Sequence, residues 1–373
     1  MSETPGDLVR VSTLTGLPPG APSWAEGLAF QLPNAALRRL NACEPFAARE
    51  RAVEALRMWH AYTERRPISS RLPLTYQIVP PALRSILASA LGRWKRRSVQ
   101  RWAQFPSWPL DLSADMLADL VGCPPSPFST GPTPVLLTHD IDSPEGLANL
   151  VEFFLDAEES VGARSTSYVV PCAWPIDHAL LAEVAGRGHE LGIHGYDHSN
   201  LTPYLPPGER RQRLAAALPL MERYGMLGYR APSLLRTRDL LRDLALHYQY
   251  DSSIPTSGGL FPVPNNGCAS ARPFRAEGIV ELPVSMPRDG SLRFLGIEPA
   301  KILATWVDCA EIIARSGGVV VLLTHCEERF SGHRAMREVY AHFLRYVAER
   351  NHFTWSSPSQ VLERFRRHEA DES

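Results

Sequence analysis

Lysine is almost missing from this chain: of 39 basic residues only Lys95 and Lys301 are lysines, the rest arginine, a skew that GC-rich codon usage produces by itself. Net charge is scarce as well. The 39 basic side chains face 40 acidic ones, leaving −1 over 373 residues, so no global basic field points to nucleic acid. No run of about 18 apolar residues occurs, which excludes a transmembrane helix. The six cysteines (Cys43, Cys123, Cys172, Cys268, Cys309, Cys326) show no CxxC spacing. That fits reduced thiols in the cytoplasm, the expected location, better than a disulfide framework or a cysteine zinc site. The opening residues lack the charged and apolar regions of a secretory signal, and no GxGxxG or phosphate-loop pattern is present.

What is there suffices for a real core, with 44% hydrophobic and 21% charged residues. The length fits one large domain of about 250 residues with a smaller attachment. Residues 1–130 carry 15 basic and 10 acidic side chains; the remainder carries 24 and 30. Residues 1–30 read as an irregular arm rich in Pro, Gly and Ser. Helical spacing follows over Ala35–Arg66 and Pro81–Gln104, and a short helix over Ala114–Val121. The proline-rich stretch Cys123–Pro134 reads as a linker. These features predict a mainly helical extension over 1–130 and a larger main domain over 131–373.

Beyond Pro134 short apolar runs alternate with helical segments. Strands are predicted at Val135–Thr138, Ser165–Val170, Leu191–Ile193, Gly228–Arg230, Tyr248–Tyr250, Ile279–Leu282, Val319–Thr324 and Phe353–Trp355. Helices are predicted near Glu145–Ser160, Asp177–Arg187, Gly208–Tyr224, Pro299–Arg315 and Arg334–Arg350. Such alternation over more than half the chain argues for a parallel α/β sheet, a barrel or an open doubly wound one.

Residues suited to a metal site cluster just past the C-terminal ends of these strands, where parallel barrels assemble their active sites. Asp140 and Asp142 follow the first strand, His194 and His198 the third; Arg230 ends the fourth and His325 follows Val319–Thr324. His194 and His198 stand four residues apart and can present both rings to one cation. Taken alone, such a pair is as often a surface coincidence. Of Asp140 and Asp142, one can bind the ion while the other takes a proton from water; a helix-capping turn at Ser143-Pro144 accounts for one acid but not two. Arg230 can hold a catalytic carboxylate ionised. His325, after five apolar residues, can protonate a leaving amine or sit as a bonded core histidine. His139 should face away from the ion, since neighbours on a strand point oppositely. Cys326 lacks the setting of a nucleophile. The basic stretch Trp94-Lys-Arg-Arg97 with Arg101 reads as a solvated helix face.

The ordered segments Thr138-His-Asp-Ile-Asp142, Gly188-His-Glu-Leu-Gly-Ile-His-Gly-Tyr-Asp-His198, Tyr229-Arg-Ala-Pro232 and Leu322-Leu-Thr-His325 resemble the motifs of the NodB-homology polysaccharide deacetylases, carbohydrate esterase family 4. The resemblance covers about residues 132–360. It implies a deformed (β/α) barrel holding one divalent cation, zinc foremost. Asp142, His194 and His198 would bind the ion and Asp140 would be the base, held by Arg230. His325 would be the acid, and Ser233 (through its N–H) and Tyr196 would contact oxyanion or substrate. Three departures stand out. Ile141 separates the acids, as in a subgroup that includes allantoin hydrolases as well as peptidoglycan deacetylases. Ser233 replaces a common aromatic residue. The aspartate that normally supports the last histidine has no clear match, Asp251 and Glu281 being weak stand-ins. The expected activity is removal of an N-acetyl group from an amino sugar. Hydrolysis of a non-sugar linear or cyclic amide, or non-catalytic carbohydrate binding, are the competing readings. Trp102, Phe105 and Trp108 could stack on sugar rings or serve interdomain packing.

Overall fold

The computed structural model describes residues 8–10, 29–31, 61–67, 70, 81–102, 110, 112–120, 126–258 and 266–372. Most of the expected arm, the helix over Ala35–Arg66 up to residue 60, most of the linker, and Phe105 and Trp108 lie outside them, as does the Trp102 side chain. Where the arm is described it is not irregular, since Leu8–Arg10 pairs with Ala29–Gln31 as two short antiparallel strands in a sheet of their own. Residues 61–66 are not helical.

Nine strands build one curled sheet: β1 (Thr133–Ile141), β2 (Ser165–Val169), β3 (Glu190–His194), β4 (Gly228–Arg230), β5 (Tyr250–Asp251), β6 (Phe274–Ala276), β7 (Ile279–Glu281), β8 (Val320–His325) and β9 (Phe353–Trp355). The order is β8-β1-β2-β3-β4-β5-β7-β6, with β9 also pairing β1. All pairings are parallel except the β6–β7 hairpin. Every residue of β1 is buried, as expected of a strand covered on both faces, and this is why its apolar run reads without alternation. It extends to Ile141, beyond the predicted Thr138, because β8 and β2 both continue alongside it.

Helices fill the connections. Ahead of the sheet come α1 (Pro81–Trp102) and α2 (Ser113–Leu120). Next are α3 (Pro144–Asn149), α4 (His178–Gly186), α5 (Pro207–Ala215), α6 (Leu218–Tyr224) and α7 (Arg238–Leu244). The last are α8 (Asp289–Phe294), α9 (Pro299–Arg315), α10 (Arg334–Ala348) and α11 (Pro358–Glu372). The predicted helix Glu145–Ser160 has a wide turn at Leu150–Phe154 before resuming at Leu155–Glu159. The one predicted over Gly208–Tyr224 is two helices, because Pro219 cannot donate to the ladder and instead opens α6. Starts follow the sequence: Ser143 accepts the Gly146 N–H at the head of α3, and Asp177 accepts two N–H groups at the head of α4.

The extension is tied to the sheet. Asp115 on α2 accepts the Ser270 hydroxyl and the Ala271 N–H, and Asp119 receives Arg272 at 2.9 Å. The Thr63 N–H donates to the Arg236 carbonyl, and the Thr63 hydroxyl accepts the Arg236 N–H. The helix α1 lies on α8: at Gly92 the carbonyl of Phe294 occupies the space a Cβ would need. That close approach requires glycine there.

Candidate functional site

The register of the sheet assembles the polar residues at one end. In the β8–β1 pairing His325 stands opposite Asp140, and in β3–β4 His194 stands opposite Arg230. Side chains paired across a parallel ladder project from the same face, so four groups distant in sequence converge. Asp142 and His198 join them from the loops after β1 and β3. His198 adopts φ 55° there, turning its ring back toward the strand end.

One ligand atom each from Asp142, His194 and His198 lies within 4.8 Å of the others. Asp142 Oδ1 is 3.0 Å from His198 Nε2 and 3.5 Å from His194 Nε2. The His194 Nδ1 lies 3.0 Å from the Arg230 carbonyl. A carbonyl can only accept, so Nδ1 carries the proton and Nε2 offers its lone pair inward. Asp142 Oδ1 is buried and finds no hydrogen-bond donor of good geometry among the described residues. An orphaned carboxylate oxygen facing two imidazole nitrogens is costly unless a cation completes it. Two nitrogens and one carboxylate oxygen are the donor set of a catalytic zinc-type site with open positions. The residues present fit the ion.

Asp140 sits beside this set. Its Oδ1 accepts from Arg230 Nη1 at 3.0 Å, and its Oδ2 is 3.6 Å from His194 Nε2. Burial would raise this carboxyl, but His194, Arg230 and His325 outweigh it and hold Asp140 below the usual carboxylate range. Arg230 is itself fully buried and spends its other donors on the Ser252 carbonyl, the Ser252 hydroxyl and Thr138. Its guanidinium lies 4.1 Å from the centre of the Tyr168 ring. It is thus clamped on every side, and clamps Asp140 in turn.

His325 is supported by Asp289, at the first position of α8. Asp289 Oδ1 is 2.8 Å from His325 Nδ1, and Oδ2 accepts the His325 N–H and the Ser331 hydroxyl, each at 2.8 Å. Burial lowers the imidazole, but the Asp289 charge and hydrogen bond overcome this and carry it up to about 9. The expected stand-ins are corrected by this finding: Asp251 and Glu281 lie on β5 and β7. There the Asp251 carboxylate accepts the Ser253 hydroxyl and that of Glu281 accepts the Ile254 N–H. Asp289 escaped the sequence because an acid in the first turn of a helix is ordinary chemistry for a helix start.

Two further groups were missed. Glu327 Oε1 accepts the Asp142 N–H at 3.0 Å and the Ser143 hydroxyl at 2.8 Å, fixing the loop that presents Asp142. Burial and the Asp142 charge push it up to about 7. It reaches so close because residue 146 is glycine: a Cβ there would meet the Glu327 carboxylate. Arg329 Nη2 lies 3.5 Å from Asp142 Oδ2. A cavity of about 660 Å³ opens onto Asp142 and His198 and is walled by Trp174, Arg293, Glu327, Arg329 and His333 among others.

The remaining expectations divide. His139 turns away from the cluster, to Glu158 at 2.8 Å and Thr324 at 2.9 Å. Tyr196 lies under the Arg213 guanidinium, 4.8 Å from the ring centre, and is not among the residues lining the cavity. Ser233, at φ 55° in the turn after β4, is exposed and is likewise not among those lining residues.

Solved structures share this architecture. A Mycobacterium smegmatis protein assigned as a polysaccharide deacetylase matches 64% of this chain and 92% of its own, at 22% identity and TM-score 0.51. The fold is that of the polysaccharide deacetylases. A Pseudomonas aeruginosa protein assigned to the same activity covers 70% of this chain and 98% of its own, at 14% identity and TM-score 0.51. The Puue allantoinase covers 65% and 94%, at 14% identity and TM-score 0.52. No protein-family model and no curated protein matches the chain. As the resemblance implied, the sheet is a deformed (β/α) barrel.

Proposed function

We propose that this chain is a metal-dependent amide hydrolase of the polysaccharide deacetylase type, removing an N-acetyl group from an amino-sugar substrate. The observation that carries it is the pairing of two opposed proton carriers beside one ligand set. Asp140, held ionised by Arg230, and His325, held protonated by Asp289, face each other across β1 and β8 next to Asp142, His194 and His198.

Asp142, His194 and His198 would hold a divalent cation, zinc by donor chemistry, and when bound it supplies Lewis acidity for water and the acyl oxygen. The protein's own residues carry the protons. Asp140 Oδ2, the oxygen not bonded to Arg230, accepts the proton of the attacking water. Arg230 keeps that carboxylate oriented and charged while the proton arrives. His325 Nε2 delivers a proton to the amide nitrogen as the C–N bond breaks, because an amine leaves poorly until protonated. Asp289 fixes the imidazole so that Nε2 points into the site, and steadies its charge. A non-catalytic binder would have little use for this arrangement, since Asp289 gives His325 the support that a proton donor needs.

A second reading, hydrolysis of a cyclic amide or ureide, rests on the Asp140-Ile-Asp142 spacing and on the fold shared with the allantoinase. Metal analysis followed by an acetate-release screen on N-acetylated sugars, with allantoin ring opening in parallel, separates the two. Acetate release supports the proposal; ring opening without acetate replaces it with the second reading. Absence of both activities from metal-loaded protein would defeat it.

A further inference from the structure

The helix α1 is turned inside out. It is 22 residues long, and its apolar side chains Leu83, Ile86, Leu87, Leu91 and Trp94 are between 41% and 72% exposed. Of the large apolar side chains exposed among the described residues, all but Leu246 lie on this helix. At about 100° per residue these five, with Ala90, fall within about 140° of arc, and Gly92 lies about 180° round from Leu83. Gly92 is the residue pressed against Phe294, and Arg96 beside it on that face reaches the Gly296 carbonyl at 3.4 Å. The small and polar face is therefore packed on the barrel and the apolar face points outward, the reverse of an ordinary surface helix.

Charge indicates what covers it. The helix carries Arg84, Arg93, Lys95, Arg96, Arg97 and Arg101 and no acidic residue. It also holds one of only two lysines in the chain. The covering surface must be apolar along the stripe and anionic beside it. A nucleic-acid backbone supplies the second property without the first, and a second copy would set one cationic helix against another. A bilayer with anionic headgroups supplies both. No helix among the described residues is long and apolar enough to cross a membrane, so α1 would lie in the interface rather than span.

We infer that α1 is a docking helix for the surface of an anionic membrane. It seats Leu83, Ile86, Leu87, Leu91 and Trp94 at the acyl boundary, with the exposed Arg93 and Lys95 among the phosphates. The short basic run around Trp94 belongs to this surface rather than to an ordinary solvated face. The inference goes beyond the proposed activity and does not depend on it. It also brings the bilayer to α8, whose Arg293 walls the cavity.

Co-sedimentation of the full chain with vesicles tests it, using phosphatidylcholine alone and phosphatidylcholine mixed equally with phosphatidylglycerol. At least about tenfold more protein should pellet with the anionic vesicles, and high salt should release it. Leu87→Glu with Trp94→Glu, both at exposed sites, should stay in the supernatant with an unchanged melting temperature. Arg93→Gln with Lys95→Gln should weaken pelleting and its salt dependence together. Wild-type protein left in the supernatant with both vesicle types overturns the inference. So does a dimer that the Glu substitutions split without any vesicle binding, or a double-Glu variant that still pellets. None of these readouts uses acetate release, so the hydrolase and the docking surface stand or fall separately.

Discussion

Asp140 and His325 owe their opposite roles to single neighbours. Replacing Asp140 with Asn removes the proton acceptor but leaves the Asp142, His194 and His198 set intact. Turnover should fall by about 10²–10⁴-fold with metal content unchanged, as followed by metal analysis and steady-state rates. Asp289→Asn keeps the shape around His325 but removes the charge that raises it. The rate should plateau while His325 is protonated and decline on an alkaline limb at or below about 9. In Asp289→Asn that limb should move toward acid; a limb that stays put would dissociate Asp289 from the acid step. Removing Arg230 leaves Asp140 as a buried carboxylate without its partner, a loss of about 3–5 kcal/mol. Arg230→Met should therefore lower the melting temperature as well as the rate.

At the scale of elements, eight of the nine strands of the curled sheet were legible as short apolar or β-branched runs between helical segments, whereas β6 (Phe274–Ala276) was not predicted. Asp140, His194, Arg230 and His325 stand at or beside the C-terminal ends of four of the eight. Boundaries shifted by a residue or a few, as at β1, where continuation depends on β8 and β2 rather than on the strand's own sequence. The metal set was legible for the same reason. What was not legible came from elements meeting in space. Asp289 heads a helix more than thirty residues from His325 in sequence, and Glu327, in the loop after β8, reaches the loop of Asp142 after the adjacent strand β1. Glycine 146 marks that second contact. Gly146→Ala would drive a Cβ into the Glu327 carboxylate, and Glu327→Ala would free the Asp142 loop. Both should weaken metal affinity by about 10–100-fold, as support behind a ligand does, measured by competition with a chelator.

The whole molecule couples this site to stability. Without metal, His325 binds its proton more tightly in the folded chain, at about 9, than at its ordinary 6.5. Its contribution to stability is therefore complete below 6.5 and is lost as pH rises through 9. Metal-free protein should melt at progressively lower temperature across that window. His325→Gln should flatten the decline, and differential scanning at a series of pH values reads it directly.

The ladder between β1 and β8 has one further consequence. Alternation along a strand means that slipping either one by a single residue would send His325 or Asp140 to the opposite side of the sheet. Such a misaligned form could retain much of its hydrophobic interior and still be inert. Deleting or inserting one amino acid within Val135–Asp140 should accordingly be far more damaging to turnover than to expression, making chemistry itself the strictest proofreader of strand alignment.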